Sequence, residues 1–394
     1  MNDAILVMNA GSSSIKFAVF RKTPAKELCR YVHGSVKGIG AQTSFVVTLL
    51  DSGQHETLTQ ATLAAADHSQ ALQHILDWLG SMSTSLNLHA VGHRVVHGGT
   101  RFTKAVRVDA QVIKELQALI PLAPLHQPHA LHAIEALLAQ QPQLPQVVCF
   151  DTAFHADMPR HEQRFAIPQV LEQQGIRRYG FHGLSYEYIT SVLPDHLGEK
   201  ANGKVVIAHL GHGVSMCAVK NRRSIATTMS LTPLDGLPMG TRSGAIDPAI
   251  VLYLLERGMS GQEISNLLHY QSGLLGLSGI SDDMQTLLSS SQAAATEAVE
   301  YFCYRISREL GSLAAALGGL DALIFTGGIG ERAAEVRVRI CDAAHWLGVN
   351  IDAQANQENA LDISAHNSDV SIWVIPTDEE QVIARHTQVT ISSL

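Results

Sequence analysis

The feature that most constrains the fold is a strand–glycine turn–strand unit that occurs twice, about 200 residues apart. The first copy covers residues 5–19 and contains the turn Asn9-Ala-Gly-Ser-Ser-Ser-Ile-Lys16. The second covers residues 205–219 and contains His209-Leu-Gly-His-Gly213. Hairpins with glycine turns are common, so coincidence stays an alternative. Two copies in the same order favour two similar halves that face a cleft.

The rest of the chain alternates short β-branched runs with longer amphipathic ones, which is typical of an α/β protein. The predicted strands are Ile5–Met8, Ile15–Phe20, Phe45–Leu50, Val91–Val96, Val147–Phe150, Lys204–Leu210, Ser215–Val219, Ala322–Thr326 and Ser371–Ile375. The predicted helices are Ser69–Trp78, Ala110–Ile120, Ala130–Leu138, Ser185–Val192, Pro248–Arg257, Gly261–Leu268, Ala293–Ala316 and Glu331–Leu347. The glutamine- and proline-rich stretch Gln140–Gln146 is the best candidate for a domain boundary.

Composition excludes several classes of protein. With 394 residues, 46% hydrophobic and 16% charged, the chain is long enough for about two domains and too apolar for disorder. Its 28 basic and 36 acidic residues give a net charge of −8, so we expect neither a nucleic-acid nor a membrane partner. The five cysteines include no CxxC pair, and the first residues lack a basic leader, so we expect a cytoplasmic protein.

Three glycine-containing turns could bind phosphate. In Asn9–Lys16, backbone N–H groups and hydroxyls form an anion nest, and alternation with Ile15 and Phe17 directs Lys16 toward the cleft. It is not a Walker loop, because GxxxxGK[ST] is absent and a strand follows. A plain hairpin with a solvated lysine is the alternative.

The other two turns are His209–Gly213 and Phe325-Thr-Gly-Gly-Ile-Gly-Glu331. The latter follows an apolar strand, and we expect it to open a helix that begins Glu-Arg-Ala-Ala. Alone, each motif is weak, and the GGxG turn could be an ordinary strand–helix connection. Three such turns in one chain favour a nucleotide cleft.

Two arginines and a histidine lie in glycine-rich segments, which are poor positions for a surface charge. Arg94 lies in Gly-His-Arg-Val-Val-His-Gly-Gly, Arg242 in Pro-Met-Gly-Thr-Arg-Ser-Gly, and His182 in Tyr-Gly-Phe-His-Gly. Glycine-rich loops between apolar elements suit arginines that bind an oxyanion bidentately. The alternatives are arginines bonded to loop carbonyls and a histidine satisfied within the loop.

Two acidic residues could bind a cation. Asp151 follows the strand Val147–Phe150, and Glu379 lies just after Ser371–Ile375. Magnesium on phosphates keeps most of its waters, so either residue could hold it directly or through water. His126, His129 and His132 recur every three residues and suggest zinc, but Pro128 interrupts them and no fourth ligand is near.

With these residues assembled, the chain resembles the acetate and propionate kinase family. The matching segments are Asn9–Lys16, Gly92–Gly99, Pro124–Pro128, Phe150–His155, Arg178–Gly183, His209–Gly213, Thr232–Pro248, Gly276–Met284, Thr326–Glu331 and Pro376–Glu380. The resemblance implies the duplicated two-domain actin/sugar-kinase/Hsp70 (ribonuclease H-like) fold with a central cleft. It also implies an N-terminal acyl-substrate domain of residues 1–150 plus 380–394, a nucleotide-binding domain of residues 151–379, and a homodimer.

The resemblance also implies roles for individual residues. The catalytic set would be Asp151, His182, Arg242, Arg94 and His126. Arg94 would hold the substrate carboxylate, and the acyl pocket would contain Val96, Leu125, Phe181 and Pro233. The nucleotide site would contain Lys16, His209, Leu210, Gly211, His212, Gly213, Asp283, Met284, Gln285, Gly327, Gly328, Ile329, Gly330 and Glu331. Asn9 and Glu379 would bind Mg²⁺ or Mn²⁺.

The implied reaction is the reversible transfer of the ATP γ-phosphoryl group to acetate, which gives acetyl phosphate and ADP. The branched Val96 should crowd longer acids, so we expect acetate to be preferred over propionate. A propionate kinase, a variant with another phosphoryl donor, and a non-enzymatic nucleotide-binding protein are the alternatives.

Several positions depart from the family pattern, and the resemblance identifies them as His212, Val214, Leu184, Tyr186, Ala245, Gln285 and Arg332. They cluster near the nucleotide-binding motifs, so we expect weaker discrimination for adenine. The proposed catalytic residues are all present.

Overall fold

The computed structural model describes residues 2–11, 14–23, 27–40, 42–51, 54–63, 67–82 and 86–392. Ser12 and Ser13 of the first predicted phosphate turn lie outside the described residues. The strands are β1 Asn2–Ala10, β2 Ser14–Lys22, β3 Leu28–Lys37, β4 Thr43–Asp51, β5 Gln54–Leu63, β6 Leu86–Val95, β7 Val106–Arg107, β8 Gln146–Phe150, β9 Lys204–Leu210, β10 Val214–Lys220, β11 Arg223–Thr227, β12 Ala322–Thr326 and β13 Ser371–Val374.

The helices are more numerous than the strands. They are α1 His68–Ser81, α2 Ala110–Ala118, α3 Gln127–Gln140, α4 Arg160–Gln163, α5 Gln169–Gln173, α6 Gly183–Leu197, α7 Pro248–Glu256, α8 Gly261–Tyr270, α9 Gly273–Ser278, α10 Met284–Leu288, α11 Ala293–Leu317, α12 Gly327–Arg332, α13 Ala334–Ala343, α14 Ala353–Gln357 and α15 Glu379–Ser392. Among the described residues, no helix has the length and apolar character required to cross a membrane.

The chain forms two compact units. Unit 1 contains Met1–Ala153 and Asp378–Leu394, and unit 2 contains Phe154–Thr377. The sheet of unit 1 has the order β5-β4-β3-β2-β1-β6-β8-β7, and the sheet of unit 2 has the order β11-β10-β9-β12-β13. The predicted stretch Gln140–Gln146 connects α3 to β8 within unit 1.

One topology occurs in both sheets. In unit 1, β1 pairs antiparallel with β2 and parallel with β6, and β6 pairs parallel with β8. In unit 2, β9 pairs antiparallel with β10 and parallel with β12, and β12 pairs parallel with β13. The order β3-β2-β1-β6-β8 is therefore repeated as β11-β10-β9-β12-β13. The predicted duplicated α/β fold is confirmed at the level of each sheet.

Helices cover both faces of the parallel part of each sheet, as buried parallel strands require. In unit 1, Leu6 and Met8 join a core with Phe17 and α1 on one face. On the other face α15 packs so closely on β6 that a Cβ at Gly92 would lie 2.3 Å from Thr387 Oγ1. In unit 2, Ile207 and other apolar residues of the sheet pack against α6.

Two predictions of local structure were wrong. The predicted helix Glu331–Leu347 consists of two helices, because Ala333 between α12 and α13 has the non-helical angles φ −97° and ψ 81°. The helix at the GGxG turn begins at Gly327 rather than at Glu331. The strands β3, β5, β7 and β11 were not predicted, since β5 (Gln-His-Glu-Thr-Leu-Thr-Gln-Ala-Thr-Leu) carries many polar residues and β7 has only two residues.

Candidate active site

In unit 1, three predicted site residues form a row across neighbouring strands. Lys16 on β2 pairs directly with Asn9 on β1. Met8 pairs with His93 on β6, so Asn9 and Arg94, the next residues along these parallel strands, are neighbours. Residues paired in this way point to the same face of a sheet. The row lies near the carboxyl ends of β1 and β6, where ligands of α/β folds bind.

A carboxylate holds the guanidinium of this row in a fixed orientation. Arg94 donates from Nε to Asp151 Oδ1 (2.9 Å) and from Nη2 to Asp151 Oδ2 (2.7 Å), and its Nη1 lies 3.3 Å from Glu379 Oε2. Burial opposes the charge, but Asp151 and Glu379 outweigh it and raise the pKa of Arg94 above its ordinary value. The two hydrogen bonds to Asp151 use two of the five N–H donors, which leaves the two Nη1 donors and one Nη2 donor for an anionic ligand.

The donor set beside Arg94 fits magnesium. Glu379 is the first residue of α15, and Oε1 is the oxygen that its ion pair with Arg94 leaves unused. The side-chain amide of Asn9 forms no hydrogen bond within the described part of the chain. One carboxylate oxygen and one amide oxygen form the sparse oxygen set that suits a largely hydrated Mg²⁺ on phosphates.

The remaining predicted residues of unit 1 lie between β6 and α3. Val96 follows β6 and is half-buried, as are Leu125 and His126 immediately before α3. His129 stacks on His68 at 4.9 Å, and His132 Nε2 lies 2.7 Å from the Ser69 hydroxyl. Among the described residues no group of three or more His, Cys, Asp or Glu side chains could hold a metal ion, so this histidine series forms no zinc site there.

In unit 2, His182 occupies an unusual position. It precedes α6 with the left-handed angles φ 56° and ψ 23°, which a non-glycine residue rarely adopts. The carbonyl of the preceding residue, Phe181, is held by the buried imidazole of His155, whose Nε2 lies 3.0 Å away. His155 Nδ1 bonds the Ser224 hydroxyl at 2.8 Å, and burial lowers the pKa of His155 to about 4. His155 thus supports the strained turn as a neutral ring.

Two histidines and two serines form a crossed pair of hydrogen bonds. His182 Nδ1 bonds Ser215 Oγ (2.8 Å), and His209 Nδ1 bonds Ser185 Oγ (2.8 Å). Ser215 and His209 are paired residues of β10 and β9, whereas Ser185 belongs to α6. The two imidazole rings lie 4.3 Å apart between centroids. Ser215 Oγ also bonds the hydroxyl of Tyr186.

Arg242 meets His182 beside Gly213. A Cβ on Gly213 would lie 3.2 Å from His182 Nε2 and 3.9 Å from Arg242 Nη1. The same Nη1 donates to the Pro233 carbonyl at 3.1 Å. The absence of a side chain at position 213 therefore leaves a space that both groups border. An anionic group in that space could accept hydrogen bonds from both.

The glycine turns of the predicted nucleotide site approach each other. A Cβ on Gly327 would lie 2.9 Å from the Leu210 carbonyl carbon, and Gly327 has φ +77°. Glu331 accepts a hydrogen bond from the Gly327 N–H at 2.9 Å. The buried Arg337 donates from Nη1 to the Gly330 carbonyl at 2.8 Å. The close backbone approach explains the glycine at position 327.

The residues predicted to meet the nucleotide base are partly engaged in structural contacts. His212 Nε2 lies 3.1 Å from Asp282 Oδ2, and both side chains are exposed. Asp283 caps α10 by accepting from the Thr286 N–H at 2.9 Å, and this bond lowers the pKa of Asp283. Met284 is buried and Gln285 exposed, so Gln285 is the side chain of this pair that a ligand could reach.

Sequence reasoning missed several residues that support the site. Ser185, Ser215, His155 and Arg337 lie inside or beside the predicted motifs, but none was assigned a role. A serine in a strand and an arginine in a helix give no signal until the fold is known. Tyr186 was noted only as a departure from the family pattern.

Residues 4–385 match the acetokinase family. The chain belongs to this family. An acetate kinase of Rhodopseudomonas palustris is 54% identical over 98% of both chains. The structure is similar to a propionate kinase from Francisella tularensis (TM-score 0.90, 39% identity, 98% and 99% coverage) and to an acetate kinase from Porphyromonas gingivalis (0.86, 35%, 99% and 100%). The predicted family is confirmed.

Proposed function

We propose that the protein is an acetate kinase, which transfers the γ-phosphoryl group of ATP to acetate and works reversibly. The observation that carries the proposal is the placement of Arg94, with N–H donors that its hydrogen bonds to Asp151 leave unused, in the row with Asn9 and Lys16 in unit 1. In unit 2, His182 and Arg242 border one space beside Gly213. One unit thus offers a binding group for a carboxylate and the other offers donors for a phosphoryl group.

The chemistry requires charge neutralisation rather than a base. Acetate has a pKa near ~4 and is already ionised at neutral pH. Its oxygen attacks the γ-phosphorus, the bond from that phosphorus to the bridging oxygen breaks, and ADP leaves. In this proposal Arg94 orients the acetate, Asp151 orients Arg94, and His182 and Arg242 stabilise the charge on the transferring group. Asn9 and Glu379 would hold Mg²⁺, which neutralises phosphate charge when bound.

An assay that traps acetyl phosphate as the hydroxamate tests the proposal directly. With acetate, ATP and Mg²⁺ we expect product formation that is abolished when any one of the three is omitted. GTP, pyrophosphate and other donors, tested in parallel, examine the expected weaker adenine discrimination. No acetyl phosphate with any donor would contradict the proposal.

A propionate kinase is the second candidate, because one similar structure is that of a propionate kinase. We favour acetate because the branched, half-buried Val96 crowds the proposed acyl site. One methylene is worth ~1–3 kcal/mol of discrimination. Val96→Ala should shift the propionate-to-acetate ratio of kcat/KM toward propionate by about tenfold. A wild-type protein that prefers propionate would exclude the acetate assignment.

We also propose that the protein forms a homodimer through α7. This helix has no buried residue, even though several of its side chains are apolar. Ile250, Leu252, Tyr253 and Leu255 are 44–60% exposed. Contiguous exposed apolar surface of this kind marks an interface, and a second copy of the chain would cover it. Leu252→Glu should convert the dimer to monomer in sedimentation velocity, whereas a wild-type monomer would refute the interface.

A cytoplasmic location completes the proposal. The five cysteines, all of which lie among the described residues, form no disulfide, and four of them are buried. Cysteines outside disulfides persist in a reducing compartment. ATP and ADP, acetate and acetyl phosphate are the proposed small-molecule partners.

A further inference from the structure

We infer that His182 meets the transferring phosphoryl group as a neutral imidazole with its proton on Nε2, and that Ser215 and Tyr186 hold it in that state. The inference rests on the proposed function for the identity of the group that His182 meets. The position of the proton rests on the hydrogen bonds of unit 2 alone.

Each hydroxyl proton of Ser215 and Tyr186 needs an acceptor, and this requirement determines the direction of their hydrogen bonds to each other and to His182. In the described part of the chain, Ser215 Oγ bonds His182 Nδ1 (2.8 Å) and the Tyr186 hydroxyl, and the Tyr186 hydroxyl bonds Ser215. When Tyr186 donates to Ser215 and Ser215 donates to Nδ1, both hydroxyl protons have acceptors. Nδ1 is then unprotonated, and the ring proton must be on Nε2.

The opposite direction leaves one proton without an acceptor. If Nδ1 carried a proton, it would donate to Ser215, and then either the Ser215 or the Tyr186 proton would have no acceptor among the described residues. Ser215 and Tyr186 are both fully buried. A buried donor without an acceptor costs its full desolvation penalty. The network therefore disfavours both the Nδ1-protonated tautomer and the imidazolium ion.

Positive charges on neighbouring side chains also disfavour the imidazolium form of His182. The His209 ring on β9 lies 4.3 Å from the His182 ring, and Arg242 Nη1 borders the same space beside Gly213. Positive charge on either group opposes a positive charge on His182. Burial raises the pKa of Tyr186 well above its ordinary value and that of Cys217 on β10 to about 12, so both stay neutral.

His182 and Arg242 would therefore contribute differently to the binding of the phosphoryl group. Arg242 supplies the permanent positive charge, and His182 supplies one directed N–H donor. A histidine that worked as an imidazolium would lose charge and donor strength as the pH rises through about 6–7. A neutral ring with a fixed proton keeps the same donor throughout that range. Ser215 and Tyr186 are thus positioning residues that act through His182.

Nitrogen-15 NMR of the unliganded, full-length protein tests the inference. The His182 ring nitrogens are assigned by comparison with His182→Gln. In the wild type we expect an unprotonated Nδ1 and a protonated Nε2 from about pH 6 to 8. Ser215→Ala removes the donor to Nδ1, so signals of Nδ1-protonated species should appear. Tyr186→Phe leaves Ser215 able to donate but less well oriented, and a smaller shift in the same direction is expected.

Tyr179→Phe is the matched control. It removes a phenol from the same unit that donates to the Gly175 carbonyl at 2.7 Å, without a change at Ser215. Its His182 spectrum should equal that of the wild type. The ratio of Ser215→Ala to wild-type kcat should fall about fivefold from about pH 6 to 8, because the variant loses its imidazolium donor as the pH rises.

A protonated Nδ1 in the wild type at neutral pH would overturn the inference. So would a Ser215→Ala spectrum identical to that of the wild type. If Ser215→Ala does not fold, the wild-type and Tyr186→Phe spectra decide the question. Since the spectra need no substrate, a protein without acetate kinase activity would refute the proposed function and leave the proton position to be settled by NMR.

Discussion

The two units hold their proposed ligand-binding side chains in different ways. In unit 1, Arg94 is clamped by the carboxylates of Asp151 and Glu379, so much of its charge is compensated within the protein. In unit 2, His182 is bonded to a hydroxyl, and Arg242 Nη1 to a backbone carbonyl. A backbone carbonyl or a hydroxyl orients such a side chain without itself adding a negative charge beside it. In the proposed reaction, an arginine held by carboxylates suits a substrate that must bind and leave, whereas Arg242 and His182 suit charge that develops during transfer.

Removal of Arg242 in unit 2 should lower activity more than any other substitution considered. Arg242→Ala should lower kcat at least ~10³-fold with little change in the KM for acetate, since we propose that the guanidinium acts on the transferring group. Steady-state kinetics measures both constants. Arg223→Ala, which removes an exposed arginine of the same unit, should retain full activity. A change confined to KM would contradict the role given to Arg242.

Asp151→Asn weakens the contact by which carboxylates hold Arg94 in unit 1. The amide keeps the size of the side chain but removes the charge and one of two acceptors for Arg94. Loss of one partner of a buried ion pair costs ~3–5 kcal/mol, and Arg94 is half-buried, so we expect a decrease in kcat/KM for acetate on the order of 10²-fold. Asp109→Asn keeps a helix cap in the same unit and serves as control. Unchanged kinetics in Asp151→Asn would show that Arg94 needs no clamp.

The buried histidines of the two units should respond alike to pH. His93 of unit 1 and His155 of unit 2 are both buried, and burial lowers the pKa of each to about 4. The unfolded chain takes up these protons first as the pH falls, so the stabilisation is present above about pH 6.5 and is lost toward pH 4. Each histidine accounts for a loss of roughly 3 kcal/mol in the free energy of unfolding.

Urea unfolding at pH 7 and at about pH 4.5 measures this loss. His155→Gln and His93→Gln should each reduce the difference between the two pH values, and the double variant should reduce it most. The exposed His161→Gln should leave the difference unchanged. If neither buried histidine alters it, other groups dominate the acid sensitivity.

The smallest effect is expected for Gly213→Ala. The methyl group would stand 3.2 Å from His182 Nε2 and partly fill the space that His182 and Arg242 border. We expect kcat to fall about tenfold, with the free energy of unfolding changed by less than ~1 kcal/mol. Gly261→Ala, which meets nothing within 4 Å, is the control. Full activity in Gly213→Ala would place the phosphoryl group elsewhere.

Sequence predicted those parts of the molecule that follow from local patterns. The duplicated hairpins, the central strands and the long helix α11 have strong periodicity, and Arg94 and His182 lie in glycine-rich motifs whose chemistry is readable. The missed strand β5 is polar and lies at a sheet edge, where its neighbours rather than its own residues favour extension. Ser215 and Tyr186 are 29 residues apart. Their contact depends on strand pairing and helix packing, which local sequence does not reveal.

The return of α15 to unit 1 has a consequence for biosynthesis. Glu379, which completes the clamp on Arg94, follows the last strand of the unit 1 sheet by more than 200 residues. During translation, the first 153 residues leave the ribosome long before the helix that covers β1 and β6. The nascent polypeptide must therefore expose an apolar sheet face for most of its synthesis, a period in which chaperones could engage it. A premature stop before residue 379 would leave that face bare and Arg94 without one of its two carboxylate partners.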